Sequence, residues 1–364
     1  MSQQFFAPGR VNLIGEHLDY NGGLVLPAAL TIGITAHFQK RDDNKIILRS
    51  KSHQLISTIQ TDDEIQYNPS NEWANYPLGV IDLLRKEGHF IPACEITYSS
   101  TLPEGSGLSS SAAIEVLTGY MLLSQSEKPI NLPWLANFCK QVENEFIGMQ
   151  CGIMDQFSVA LGKADHAILL DCSTLHYEYI PFELDDYSLV IMDTKKPRSL
   201  ITSKYNERRA QCEEAVKIIS APEPVEHLSQ AEMPQLALIK DELIKKRARH
   251  VITENLRVKE SVKALRFNDL STFGRLMNAS HESMKNDFEI TGLELDTLVA
   301  AAQTVKGCLG ARMTGGGFAG SAIALVHKQS IETLRNTVTS EYLRVTGRNC
   351  EIYESKSGDG VRPI

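Results

Sequence analysis

No C-x-x-C pair occurs among the seven cysteines, which lie scattered between Cys94 and Cys350. That excludes zinc-ribbon and thioredoxin-type chemistry. An odd, scattered set is expected to stay as reduced thiols in a cytosolic protein. Positive charge is not in excess either: 37 Lys and Arg stand against 45 Asp and Glu, a net charge of −8. Nucleic acid is therefore not the expected partner. Net negative charge does not bar an anion, which can be held by backbone N–H groups, a helix N-terminus and a metal ion. Long apolar runs are missing. The weakly polar stretch from Leu24 to Ala36 is broken by Pro27, Thr31 and Gly33, short of the ~20 residues of a membrane span. The start, MSQQFFAPGR, lacks the basic and then apolar pattern of a signal peptide. No membrane association is expected, nor an obligate protein partner. Repeats, heptads and low-complexity tracts are absent.

What is present is 364 residues, 42% hydrophobic and 23% charged. That is a globular composition, long enough for about two domains at roughly 100–200 residues each. Strands are expected at Leu24–Phe38, Lys45–Arg49, Cys94–Tyr98, His166–Cys172, Ser188–Asp193, Ser321–Val326 and near Cys350–Tyr353. A buried helix is expected over Ala112–Leu123. Another begins at Asn131 and Pro133, with Leu135, Phe138, Cys139, Val142 and Phe146 on one face. Further helices are expected over Leu200–Ile219, Lys240–Leu265 and Asp269–Met284, with a breaker-rich connection around Pro222, Pro224 and Pro234. Ala311–Gly320 reads as a glycine-rich turn. The mixed order without regular βαβ units predicts an α+β fold. Its junction falls near 182–188 and divides residues 1–184 from 185–364.

Three segments carry chemistry. In Pro103–Ala113, Gly105 and Gly107 permit a tight turn, Ser106 and Ser109–Ser111 add hydroxyls, and a helix follows whose first N–H groups are unpaired. This suits a phosphate; an ordinary serine-capped turn is the alternative. It is not a Walker loop, since G-x-x-x-x-G-K-[ST] is absent. Gly315–Gly320 does match G-x-G-x-x-G, but a strand follows it, the wrong setting for a dinucleotide. No H-R-D or D-F-G segment supports a protein kinase. In Pro8–Gly23, Glu16, His17 and Asp19 offer closely spaced partners for sugar hydroxyls, and Arg10 is a permanent cation able to stabilise a phosphoryl group. The alternative is a solvated loop. In Cys151–Phe157, Asp155 stands among apolar residues. A nearby arginine would keep it ionised, fit to accept a hydroxyl proton; a structural or capping aspartate is the alternative. Glu143 reads equally well as a surface acid.

Together these segments resemble the galactokinases of the GHMP kinase superfamily. GRVNLIGEHLDYNGG (Gly9–Gly23) is similar to the galactokinase signature, LPEGSGLSSSAA (Leu102–Ala113) to the ATP-phosphate motif, and MTGGGFAG (Met313–Gly320) to the third motif. CGIMDQF, NERRAQCEEA and RARHVITEN also fit, in family order over nearly the whole chain. The resemblance implies ATP-dependent phosphorylation of α-D-galactose at C1, the first committed step of the Leloir pathway. It implies two α+β lobes with the site between them: an N-terminal lobe with a left-handed βαβ unit and a ferredoxin-like C-terminal lobe. Asp155 and Arg10 match the catalytic positions. Glu16, His17, Leu18, Asp19, Gly152 and Tyr205 match the sugar-binding ones. Gly105, Ser106, Gly107, Leu108, Ser109, Ser110 and Ser111 match the ATP cradle, with Ser50 a further nucleotide contact. Ser111 and Glu143 match ligands of Mg²⁺, a cation that prefers such oxygen donors. Leu18 and Ala319 depart from the usual Thr and Gly, as does Ile290–Leu293 from its usual sequence. A glycine-like positive φ at 319 would make that change costly. A kinase for N-acetylgalactosamine or arabinose is an alternative. So is a non-catalytic sugar sensor, although sensors of that kind lack the Ser–Ala pair seen here as Ser111–Ala112.

Overall fold

The computed structural model describes residues 3–126, 128–197, 201–221 and 224–364. Its elements run β1 (Gln3–Asn12), β2 (Leu24–Val25), β3 (Pro27–Lys40), β4 (Lys45–Ser50), β5 (Ser57–Gln60), α1 (Asn75–Lys86), β6 (Cys94–Ser100), α2 (Ser110–Leu123), α3 (Leu132–Gln141), α4 (Met154–Leu161), β7 (His166–Asp171), β8 (Tyr177–Pro181) and β9 (Tyr187–Asp193). They continue with α5 (Ile201–Ile219), α6 (Glu242–Arg266), α7 (Leu270–Ser283), α8 (Gly292–Gln303), β10 (Cys308–Thr314), β11 (Ser321–His327), α9 (Ile331–Thr346), β12 (Glu351–Ser355) and β13 (Arg362–Pro363). No described helix is long and apolar enough to cross a membrane.

The strands form three sheets. Six strands lie in the order β13-β1-β3-β6-β4-β5, with β4 and β6 parallel. A small sheet is ordered β2-β7-β8, and a third β10-β11-β9-β12. The third is antiparallel throughout. Numbered by its own strands it reads 4-1-3-2, the ferredoxin-like order, with α7 and α8 packed against it and α9 against α8. The chain changes sheet between Pro181 and Tyr187. Its last residues then return to the first sheet, where β13 pairs with β1.

Helix α2 is buried along nearly its whole length, from Ala112 to Leu122, because small residues let it lie close under β1 and β3. At Gly119 a Cβ would come within 2.7 Å of Leu135. α3 starts as its sequence predicts, with Asn131 accepting from the Trp134 N–H and Pro133 in the first turn. Asp241 caps α6 by accepting from the N–H groups of Leu243 and Ile244.

The structure corrects the sequence in three places. The expected N-terminal loop is half strand, since β1 runs through Gly9 and Arg10 with a bulge between Pro8 and Arg10. Its inward Phe5, Ala7 and Val11 carry strand alternation that Pro8 and Gly9 disguise. Residues 308–314, expected in part as turn, are a strand, and only 315–320 turns. Helices α1, α8 and α9 had no assignment. Leu200 and Pro222 lie outside the described residues.

Candidate active site

Strand β1 sets the first functional side chain. The Arg10 N–H donates to the Leu108 carbonyl at 3.1 Å, and a Cβ at Gly9 would stand 2.9 Å from the same oxygen. The strand therefore grazes the Gly105–Ser111 loop, which only glycine at position 9 permits. Arg10, buried, extends along that loop. Its Nε and Nη2 each donate to one carboxylate oxygen of Asp155 at 2.7 Å, and its Nη1 donates to the Gly107 carbonyl at 2.7 Å. Asp155 is the second residue of α4, where the helix dipole favours negative charge. Its side chain is 30% exposed and faces a cavity of about 310 Å³. The bidentate pair fixes the plane and direction of the carboxylate through two charge-assisted hydrogen bonds.

The phosphate-loop residues divide. Gly105 and Gly107 have φ of +72° and +80°, the left-handed values that glycine tolerates. The Ser106 hydroxyl donates to the Pro103 carbonyl, and Leu108 packs into the core. Ser109 holds φ 60°, ψ 48°, costly for a residue with a Cβ, and its hydroxyl donates to Asp155. Ser110 and Ser111 open the first turn of α2 and line the cavity. Glu143 lies in a π-helical turn, Val142–Ile147, that ends α3. It is 4% exposed, so the surface-acid alternative fails. Burial and the Asp155 charge push its carboxyl up, against hydrogen bonds from Cys151, Ser111 and Gln156.

The sugar-signature residues close the other wall. Glu16 is buried: its Oε1 accepts from the Gly315 N–H at 2.9 Å, and its Oε2 accepts from Asn12 Nδ2 at 2.9 Å and from Arg312. Burial pushes its carboxyl up to about 7 against the pull of Arg312. All three partners are donors, which suits a carboxylate. His17, with φ 61°, is neutral, since burial lowers it to about 3. Gly316 O can only accept, so it takes the Nε2–H at 3.2 Å, and Nδ1 accepts from the Tyr20 hydroxyl at 2.8 Å. Asp19 lines the cavity, its carboxyl raised to about 6 by burial and the neighbouring Asp155. Gly152 lies against it, so that a Cβ there would sit 1.9 Å from Asp19 Oδ2. Tyr205, on α5, packs on His17 with ring centres 5.1 Å apart and lines the same cavity. Leu18 does not line it; wholly apolar, it is packed in the core.

One cavity therefore gathers Arg10, Glu16, His17, Asp19, Gly152, Asp155, Tyr205, Glu143 and the loop from Gly105 to Ser111. Ser50 lies outside it, in an adjoining cavity of about 170 Å³ walled by His53, Trp73, Tyr76 and Tyr98. Ser110, Ser111 and Tyr76 line both. No local pattern marks this aromatic pocket, because its residues lie far apart along the chain. The support of the sugar wall is hidden in the same way. From α6, His250 Nε2 approaches the Glu16 carbonyl at 3.2 Å and Glu254 accepts from the Gly15 N–H at 3.0 Å. Asn255 accepts from the Leu24 N–H at 2.9 Å. The RARHVITEN segment is thus the brace of the signature loop. Ala319 is absent from the positive-φ positions, which fall at Gly315, Gly317, Phe318 and Gly320, so its methyl carries no backbone strain.

Family models match along the chain: the galactokinase galactose-binding signature over residues 2–40, the GHMP kinases N terminal domain over 75–163 and the GHMP kinases C terminal over 261–344. Galactokinases of Staphylococcus carnosus and Enterococcus faecalis are each 47% identical, over 99% of this chain and 94% and 95% of theirs. The crystal structure of Lactococcus lactis galactokinase complexed with galactose superposes with a TM-score of 0.96 at 42% identity, covering 100% of this chain and 95% of that one. Methanococcus jannaschii mevalonate kinase, at 21% identity and a TM-score of 0.69, shares the fold.

Proposed function

The chain belongs to the galactokinase family of the GHMP kinases, and we infer that it transfers the γ-phosphoryl group of ATP to the C1 hydroxyl of α-D-galactose, giving α-D-galactose 1-phosphate and ADP. The observation that carries the residue roles is the bidentate Arg10–Asp155 pair at the seam between sugar signature and phosphate loop. Asp155 accepts the C1 hydroxyl proton as that oxygen bonds to the γ-phosphorus. The bond from phosphorus to the β–γ bridging oxygen breaks, and its electron pair leaves with ADP. Arg10 fixes the direction of Asp155 and lends its charge to the transferring group. The first-turn N–H groups of α2 take phosphate oxygens. His17, Asp19 and Tyr205 orient the sugar, Glu16 ties the signature loop behind them to the Gly315 turn, and Gly152 leaves Asp19 room. Ser50, with Trp73 and Tyr76, borders the side pocket where the nucleoside end of ATP fits. Catalysis is then largely positioning and electrostatics.

Mg²⁺ fits the donor set. Ser111 and Glu143 are adjacent oxygen donors beside the loop, and no cluster of three metal-ligating side chains occurs among the described residues. That is the sparse protein share expected of a cation held mainly by phosphates. When bound, Mg²⁺ neutralises the β- and γ-oxygens. All seven thiols are free, which agrees with a reducing cytoplasm where ATP is at hand.

The test is ADP release measured over a panel of sugars, with and without Mg²⁺. Galactose is expected to be preferred over glucose, N-acetylgalactosamine and arabinose, and Mg²⁺ to be required. Equal rates with glucose would remove the substrate assignment. Galactose binding without ADP release would leave a sensor.

A further inference from the structure

One residue of the Gly315–Gly320 turn is out of keeping with its neighbours. Positive φ falls on Gly315, Gly317 and Gly320, where glycine tolerates it, but also on Phe318, at 64°. A bulky side chain in that region is a costly outlier, which persists only where its surroundings require it. Two kinds of contact hold it there. Its N–H donates to the Ile290 carbonyl at 2.6 Å. Its ring meets two cations of α5: Lys204 Nζ lies 5.2 Å and Arg208 Cζ 5.6 Å from the ring centre, both within cation–π reach. Arg208 is itself anchored, donating from Nε to the Phe288 carbonyl at 2.8 Å and from Nη2 to the Glu289 carbonyl at 3.1 Å. Lys204 forms no ion pair among the described residues, so the ring is what its ammonium meets. Lys204 and Arg208 are four apart and share one helical face, and they bracket Tyr205. Tyr205 lines the site cavity, with its ring 5.1 Å from that of His17 and 5.4 Å from that of Tyr20. A Cβ at Gly316 would stand 3.6 Å from Tyr205 Cδ2. The turn therefore meets α5 twice, at Tyr205 and at the cations on either side of it.

We propose that Phe318 is a positioning residue for the sugar: its ring seats the first turns of α5 through Lys204 and Arg208, and so holds Tyr205 at the sugar wall. This rests on the reading of Tyr205 as a residue that orients the sugar. Phe318 does not line the site cavity; it borders a separate cavity of about 290 Å³ together with Lys204 and Arg208, so it acts through α5. The turn alone would be served better by glycine at 318, as at 315, 317 and 320, so the ring is what the strained backbone retains. The next residue of the helix, Arg209, supplies a second fastening. It donates to the Gln150 carbonyl at 3.1 Å and lies 6.0 Å over the Tyr20 ring. Loss of the Phe318 ring therefore loosens the helix and misplaces Tyr205 without releasing it.

The experiment compares Phe318→Tyr, which keeps the ring, with Phe318→Leu, which keeps bulk alone, and Phe318→Gly, which also frees the backbone. The KM for galactose is expected to rise about three- to tenfold in Phe318→Leu and Phe318→Gly, the size of the lost ring–cation contacts, and to stay within about twofold in Phe318→Tyr. The KM for ATP is expected to stay within about twofold in all three, whereas a general loosening of the turn would raise both values. Hydrogen–deuterium exchange, followed by mass spectrometry, is expected to speed up in the first turns of α5 in Phe318→Leu and not in Phe318→Tyr. Should Phe318→Leu not fold, Lys204→Met, at an exposed position, must raise the galactose KM and speed the same exchange. An unchanged galactose KM in Phe318→Leu, an equal rise of both KM values, or unaltered exchange in α5 overturns the seat. Tyr205→Leu separates the premise: if it leaves the galactose KM intact, Tyr205 does not orient the sugar, while exchange in α5 still reports whether Phe318 seats the helix.

Discussion

The molecule contains two arginine–carboxylate pairs within one site, and they differ in what surrounds them. Arg312 and Glu16 are 0% and 1% exposed, and every carboxylate oxygen already has protein donors. Arg10 and Asp155 make an equally tight pair, but Asp155 keeps 30% of its side chain open to the cavity. The chemistry is the same and the environment divides the labour. A closed pair fixes two loops against each other, here the signature loop and the Gly315 turn. An open pair holds a charge where a substrate can meet it. Burial also sets the energetic stakes, because breaking a buried pair strands a charge, whereas a pair reached by solvent is screened.

The sharpest way to test that contrast is to neutralise each carboxylate in turn. Asp155→Asn is expected to lower kcat by about 10²–10⁴-fold, the range for a lost acid–base group, while calorimetry finds galactose binding near normal and the melting point little changed. Undiminished turnover would take Asp155 out of the mechanism. Glu16→Leu leaves the Gly315 N–H, Asn12 Nδ2 and Arg312 buried without their acceptor. It is expected to cost about 3–5 kcal/mol of stability, the usual penalty for breaking a buried pair. Thermal melting checks this, with Asp155→Asn as the reference. If both variants melt alike, burial does not distinguish the pairs.

The contrast also explains what could be read in the sequence. Arg10, Glu16 and Asp155 stand in short motifs whose residue types announce chemistry, so all were visible as candidates. Arg312 was not, since it follows an ordinary alanine within a strand and its partner is 296 residues away. The same holds for His250 and Glu254. Their helix was legible from its period, but which face would brace the Gly15 turn depends on a tertiary contact. Most strands were found because Val, Ile and Leu mark them; β1 escaped because Pro8 and Gly9, the latter needed for its close pass by the phosphate loop, look like turn residues. Glu143, matched to a cation ligand by resemblance, could on its own residues equally be a surface acid, because nothing local shows that α3 widens at its end and turns that carboxyl inward.

A milder perturbation probes how the open pair is aimed. Ser109 was expected on phosphate, yet its hydroxyl goes to Asp155 while its backbone stays in the left-handed region. Ser109→Ala keeps the strain and loses the bond; Ser109→Gly loses both. Both are expected to lower kcat by roughly tenfold, about the worth of one hydrogen bond to a charged group. Ser109→Gly alone should gain stability, by about 1–2 kcal/mol, from the relieved backbone. Loss of kcat in Ser109→Gly but not in Ser109→Ala would show that the backbone, rather than the hydroxyl, aims Asp155.

The smallest effect belongs to a carboxyl that has no arginine of its own. Asp19 is raised to about 6, first by burial and then by the charge of Asp155. If its ionised form is what accepts a galactose hydroxyl, kcat/KM for galactose is expected to be about halved at pH 6 relative to pH 8, and to fall about tenfold per further unit. The KM for ATP should not follow. The same raised value fixes the sign for stability. Neutral Asp19 suits the fold below its unfolded value of 3.8, and that advantage is lost as pH rises through about 6. Asp19→Asn should therefore melt no lower than the parent protein at pH 8, bind galactose less well, and show no step near pH 6. A step that persists in Asp19→Asn assigns the titration to another group, with Glu16, raised to about 7, the first to examine. The closed pair would then govern sugar binding as well as the fold.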